Sequence, residues 1–179
     1  MAEAFINQVN RAVGIVTSSS NASIGVGLTW MSGISTAHVA INDLVDNSNF
    51  IAGTKVTFVG VSSVQLDRAS TNTVAATASN VSFLGPTTSY TSASATKSIL
   101  IGGTFANNTA NSVNLTVTVY DYSDTTESQL AAKIPVPTGS SFVISDAGKT
   151  VLEGDDEVRV YCDTENAIDV NLSILKGVS

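Results

Sequence analysis

Hydrophobic and polar residues alternate with a period of two along most of this chain. That is the signature of strands with one buried face. The cleanest run is Val113 to Asp121: Val113, Leu115, Val117 and Val119 fall on one side, and Asn114, Thr116 and Thr118 on the other. Similar runs span 98–106, 129–136, 141–145, 157–162 and 168–176, with a short apolar pair at Val151-Leu152. Pro135 marks its run as an edge or a strand end. Upstream, a strand-rich block opens at 23–30, a second apolar run spans 34–41, a strand is predicted over 74–84, and a hairpin joins 55–61 to 63–67 through a turn at Gly60–Ser63. Residues 18–21 read as a turn and 42–49 as a polar connection. Gly85-Pro86 is the sharpest break.

Only residues 3–13 carry a weak helical spacing, with Phe5, Ile6, Val9 and Val13 able to share one face. The same segment also reads as an extended arm lying on a neighbouring subunit. Turn signals otherwise recur every 8–12 residues, the spacing of an antiparallel sandwich. The expected fold is all-β: an antiparallel β-sandwich, jelly-roll or Ig-like, with a second small β-rich module. The division expected is an N-terminal arm and first strand at 1–19, a β-rich module at 20–86, and the sandwich at 87–179. The expected core is Val113, Leu115, Val117 and Val119 against Phe142, Ile144, Val158, Val160, Ile168, Val170, Leu172 and Ile174.

Composition agrees with the pattern. Val, Ile and Thr make up about a third of the 179 residues, the β-branched excess that suits strands. Charged residues are only 13%, so Ser, Thr and Asn cover the surface instead. The net charge is −7 and the eight basic residues are scattered, which argues against a nucleic-acid partner. No apolar stretch approaches the roughly 18 residues of a membrane span, so no membrane partner is expected. The opening residues lack the basic and apolar regions of a secretory leader. Asn-x-Ser/Thr triplets at Asn21, Asn80, Asn107, Asn114 and Asn171 are therefore not read as glycosylated.

Candidate chemistry is sparse. His38 is the single histidine, no nucleophile elbow accompanies it, and it reads as a strand residue facing solvent or a neighbour. One histidine and one cysteine cannot make a four-ligand zinc site. Cys162 follows Val158 and Val160 in alternation and reads as a core thiol. The acidic run Glu153–Glu157 offers calcium-type oxygens but sits where a hairpin turn is needed. Asp43, Asp46 and Asp67 raise the same question more weakly. Gly25/Gly27 and Gly102/Gly103 open no helix, so they are not phosphate loops. No catalytic, cofactor-binding or metal-ligating set is assigned, and no enzyme is expected.

Several segments resemble a known family. They are Ser98–Asn114 (strand, polar turn, strand), Pro137-Thr138-Gly139-Ser140-Ser141 before a core strand, Leu152-Glu153-Gly154-Asp155 turning into Glu157-Val158-Arg159-Val160, and the closing strand Ala167–Leu175. Their order resembles small β-sandwich virion proteins of tailed phages, especially phages of marine bacteria and cyanobacteria. Asn49–Val56 with Val64–Asp67 is similar to a module of phage tail and fibre proteins. Within that resemblance, residues of about 20–86 look like an insertion into one loop, which is cheap at a surface. It implies a non-enzymatic structural protein of the virion, with head decoration ranked first and a neck, collar or tail attachment next. Its implied partners are other copies of itself and other virion proteins. Phe5, Ile6, Val9 and Val13 are the expected assembly contacts, since burying such side chains is worth roughly 1.5–3 kcal/mol each. A carbohydrate- or receptor-binding fibre module is the rival reading, with Trp30, Tyr90, Tyr120, Tyr122 and Tyr161 as candidate stacking rings.

Overall fold

The computed structural model describes residues 3–145 and 149–178, all of it strand, turn and loop. The chain divides into two units, Ile15–Pro86 and the combination of Met1–Gly14 with Thr87–Ser179.

The larger unit is a two-sheet antiparallel sandwich. Its strands are β1 (Ala4–Val13), β8 (Thr87–Thr91), β9 (Lys97–Asn107), β10 (Val113–Asp121), β11 (Thr126–Val136), β12 (Ser141–Ile144), β13 (Thr150–Leu152), β14 (Glu157–Cys162) and β15 (Ile168–Val178). One sheet runs β1-β15-β9-β12, with β13 also pairing along β9; the other runs β11-β10-β14-β8. Alternation sends Val113, Leu115, Val117, Val158, Val160, Ile168, Val170, Leu172 and Ile174 into the core with Phe105, Leu100 and Leu152. Phe142 and Ile144, expected inside, are only half-buried, because short β12 lies at the sheet margin. Gly102 and Gly103 allow β9 to be crowded from both sides. A Cβ on Gly102 would stand 2.7 Å from the Ile144 carbonyl oxygen, and one on Gly103 2.7 Å from Leu172 Cδ2.

The arm expected on a neighbour is instead a strand of this same sandwich. Residues 4–10 pair in unbroken antiparallel register with 170–176 of β15. The spacing that suggested a helix yields to this pairing: Ile6 packs against the core and Val13 is buried in it. Gly14 closes the strand at φ +137°. There its carbonyl accepts the Asn166 N–H at 3.1 Å, while the neighbouring Val13 carbonyl accepts that of Ala167 at 2.9 Å.

The smaller unit holds β2 (Ile15–Ile24), β3 (Trp30–Ser32), β4 (Leu44–Asp46), β5 (Val56–Val59), β6 (Ser63–Leu66) and β7 (Ala76–Gly85). They form one antiparallel sheet in the order β4-β7-β2-β3-β6-β5. Its two end strands are stitched to each other. The Val45 N–H donates to Thr54 O at 2.9 Å, Asn42 N–H to Val56 O at 2.9 Å and Val56 N–H to Asp43 O at 3.0 Å. The two ends of the sheet are thus joined around Leu44–Val45 and Thr54–Val56, which covers part of both edges. Ile24, Met31, Val45, Val56, Val64, Val81 and Phe83 fill the interior, with Ile34, Val39 and Phe50 added from connecting loops.

Four local expectations change here. Residues 18–21 continue the backbone of β2 rather than turning. The run at 23–30 breaks after Ile24, and β3 starts only at Trp30. Residues 34–41 are irregular, because Ile34 and Val39 plug the interior from a loop; the Thr36 hydroxyl donates to the carbonyls of Gly60 and Val61. The polar stretch 42–49 contains β4, whose Leu44 and Val45 are buried.

Candidate functional site

The outer face of the five-stranded sheet carries an apolar row. Phe5 on β1 sits across from Leu175 on β15, Leu175 across from Ile99 on β9, and Ile99 across from Val151 on β13. Four adjacent strands thus place a large apolar side chain at one level on the side away from the core. The ends of the row are open: Phe5 is 76% exposed and Val151 56%. A second level runs Val9, Asn171, Thr104 and Val143, with apolar residues at its two exposed ends. Between these levels Phe5, Asn7, Ile101 and Ser173 border a shallow groove of about 360 Å³. Water-facing strand positions are ordinarily polar in an antiparallel sheet, so this row is the sandwich's departure from the usual pattern.

The outer face of the other sheet is built differently. Thr116 and Thr118, expected to face solvent, are buried. They lie beneath a polar cluster centred on Glu127, whose side chain is 1% exposed. Its carboxylate accepts hydrogen bonds from the Tyr161 hydroxyl at 2.9 Å and from the Thr118 hydroxyl. The Arg159 guanidinium stands 3.7 Å from Glu127, pairs with Glu157 at 2.7 Å, and lies 3.9 Å above the Tyr120 ring. Burial works against the charge of Arg159, but Glu157 and Glu127 outweigh it and raise its pKa. Tyr161 is raised as well, first by burial and then by the Glu127 carboxylate, so its proton stays in place to bond Glu127. Two register shifts in β11 set off its first residues, Glu127 among them, from the rest of the strand. Glu127, Arg159, Glu157, Tyr161 and Thr118 bond to one another, so the cluster braces β10, β11 and β14 together.

The residues singled out from sequence separate cleanly. Phe5 and Val9 point to solvent, Ile6 is half-buried, and Val13 belongs to the sandwich core. Val13 is therefore removed from the expected assembly contacts, because its own fold already buries it. His38 is exposed in a turn, not in a strand. Cys162 is fully buried, and its thiol is pushed up to about 11, chiefly by burial. In the acidic turn, buried Asp156 accepts the N–H groups of Tyr122 at 3.1 Å and Glu153 at 2.8 Å, while Glu153 pairs with Lys97. That carboxylate closes its own turn. Asp43 does likewise, accepting the Ala40 N–H at 2.9 Å, and Asp67 accepts that of Lys55 at 2.8 Å. Of the aromatic candidates, Tyr90 and Tyr161 are buried and Tyr120 lies under Arg159. Trp30 is exposed and meets exposed Phe58, which sequence reading did not single out, edge to face at 5.9 Å. Both sit across from Gln65, on either side of β6.

The row residues Ile99, Leu175 and Val151 were also missed. Each lies in a recognisable strand, but only the order of strands in the sheet reveals that they share one level.

No protein-family model and no curated protein matches the chain. Among solved structures it is similar, at 11% identity and a TM-score of 0.24, to the isomalto-dextranase of Arthrobacter globiformis T6 in complex with panose. That match covers 97% of this chain and 34% of the other, so this chain spans about a third of that enzyme's length. Among the described residues, no helix is long and apolar enough to cross a membrane.

Proposed function

We propose that this chain is a non-enzymatic structural protein of a tailed-phage particle, seated on its neighbours through the outer face of the five-stranded sheet. Head decoration is the first assignment within that class, and attachment at the neck, collar or tail the second. The observation that carries the reading is the outward-facing row Phe5–Leu175–Ile99–Val151, half-buried in the middle and exposed at its two ends. A flat apolar stripe flanked by Asn, Ser and Thr suits a contact repeated many times over a particle, where each copy need contribute only modest affinity. The turn motifs that resemble phage sandwich proteins supply the particle; the row supplies the means of attachment. The test replaces both open ends of the row, Phe5→Ser with Val151→Lys. The expected result is an unchanged melting temperature and loss of the protein from purified particles. Wild-type retention on particles would remove the row from the account.

A second reading, a glycan- or receptor-binding fibre module, is favoured by the exposed Trp30–Phe58 pair flanking Gln65. Aromatic faces beside an amide are a common way to hold a sugar ring. A glycan array probed with the protein and with Trp30→Ala tests it: binding lost in the variant supports the reading, and an array with no signal removes it.

A further inference from the structure

Among the described residues, every end strand except one is short, interrupted or already paired. The smaller unit's β4 and β5 are bonded to each other. In the sandwich, β12 has four residues and β8 five. The long end strand β11 is broken by two register shifts and contains Pro135. These are the usual devices that stop edge-to-edge association. β1 lacks them only over residues 4–10; beyond Asn10 its register shifts and Ala12 takes φ +55°. It is ten residues long, and its segment 4–10, Ala-Phe-Ile-Asn-Gln-Val-Asn, has no charge, no proline and no register shift. One side of it is bonded to β15; the other side pairs with no strand among the described residues, with β8 of the second sheet packed nearby.

The residues along that edge are arranged symmetrically about Asn7. Phe5 and Val9 stand two places to either side, both on the outer face and both exposed. Glu3 and Arg11 stand four places to either side, both exposed, and neither has an ion-pair partner among the described residues. Glu3 precedes β1 and Arg11 follows its regular stretch 4–10, which alone spans roughly 20 Å, so they cannot neutralise each other within one strand. A second strand running antiparallel and centred on Asn7 changes this. Position i then faces position 14 − i of the partner. Glu3 meets the partner's Arg11, Arg11 meets the partner's Glu3, Phe5 meets the partner's Val9, and Asn7 meets its own copy. Each opposite-charge and aromatic–aliphatic cross-strand pair is of the stabilising kind.

We infer that β1 is a homodimerisation edge: two copies of this chain join β1 to β1 antiparallel, in a two-fold register centred on Asn7. The self-complementarity is what a two-fold interface requires. The two five-stranded sheets become one, and the apolar row of one copy continues through Phe5 onto Val9 of the next. The inference rests on the assembly reading above, and it is tested in solution so that the two can fail separately.

The experiment measures mass by sedimentation or light scattering across a concentration series, for the wild type and three variants: Glu3→Arg, Arg11→Glu, and the two combined. The wild type is expected to dimerise. Each single reversal sets two like-charge pairs across the edge and should weaken the dimer on the order of tenfold. The double reversal restores both opposite-charge pairs and should return the wild-type constant. All three are surface changes that leave the melting temperature in place. A monomeric wild type at every concentration overturns the inference, as does a dimer indifferent to the single reversals or not recovered by the double one. A dimer with the expected rescue in a protein absent from phage particles leaves the inference standing and removes the particle reading. A monomer found on particles does the reverse.

Discussion

Replacing Arg159 by leucine tests the polar brace on the outer face of the four-stranded sheet. Leucine keeps much of the aliphatic bulk of arginine and removes the guanidinium. Glu127 then keeps its hydrogen bonds from Tyr161 and Thr118 but loses the cation 3.7 Å away, with a side chain only 1% exposed. At an effective dielectric of about 20, one unit-charge pair at that distance interacts by roughly 4 kcal/mol. Breaking one partner of a buried pair usually costs 3–5 kcal/mol. Loss of the contact over Tyr120 at 3.9 Å adds roughly 1 kcal/mol. The Glu157 pair lies nearer the surface and adds little. The expected loss at neutral pH is therefore about 3–5 kcal/mol, out of a total that is seldom above about 15 for a domain.

Urea denaturation followed by tyrosine signal reads this unit alone, because all four tyrosines lie in the sandwich and the single tryptophan, Trp30, lies in the other unit. Adding Glu127→Gln to Arg159→Leu should recover part of the loss, since an amide needs no counter-ion. A loss below about 1 kcal/mol would refute the reasoning.

Three further outcomes follow from the same structure. Val117→Asp places a carboxylate in the sandwich core, where Val117 is fully buried between β11 and β14, and should cost several kcal/mol or prevent folding; a soluble variant of equal melting temperature would show the strand misassigned. Gly14→Ala should destabilise by about 2–4 kcal/mol in thermal melts, because φ is +137° and the new Cβ would lie 2.2 Å from the Thr164 carbonyl oxygen. Cys162, buried and with its thiol pushed up to about 11, should resist alkylation by iodoacetamide at pH 8 in the native protein and react fully in denaturant; rapid native labelling would contradict its placement.

The strands of the sandwich were legible because alternation of the kind at Val113–Val119 survives wherever one sheet face is buried. The smaller unit was less legible for a physical reason. Its sheet is joined at its two ends and plugged from loops, so Ile34 and Val39 are apolar without being strand residues. Leu44 and Val45 were hidden by the polar residues around them although they form β4. The arm illustrates the opposite problem. Phe5, Ile6, Val9 and Val13 signalled a need for burial, but the partner that buries Val13 and half-buries Ile6 is β15, more than 150 residues away in sequence. Periodicity shows which residues are apolar and not which strands lie side by side. For that reason the row through Leu175, Ile99 and Val151, and the brace around Glu127, emerged only from sheet order.

Mass spectrometry of purified phage particles, with heads and tails separated and copy numbers counted against the major capsid protein, tests the central claim most directly. The account predicts that this chain is present in many copies, enriched in the heads, and retained through salt washing, since an apolar contact gains nothing from low ionic strength. Its absence from purified particles would contradict the account.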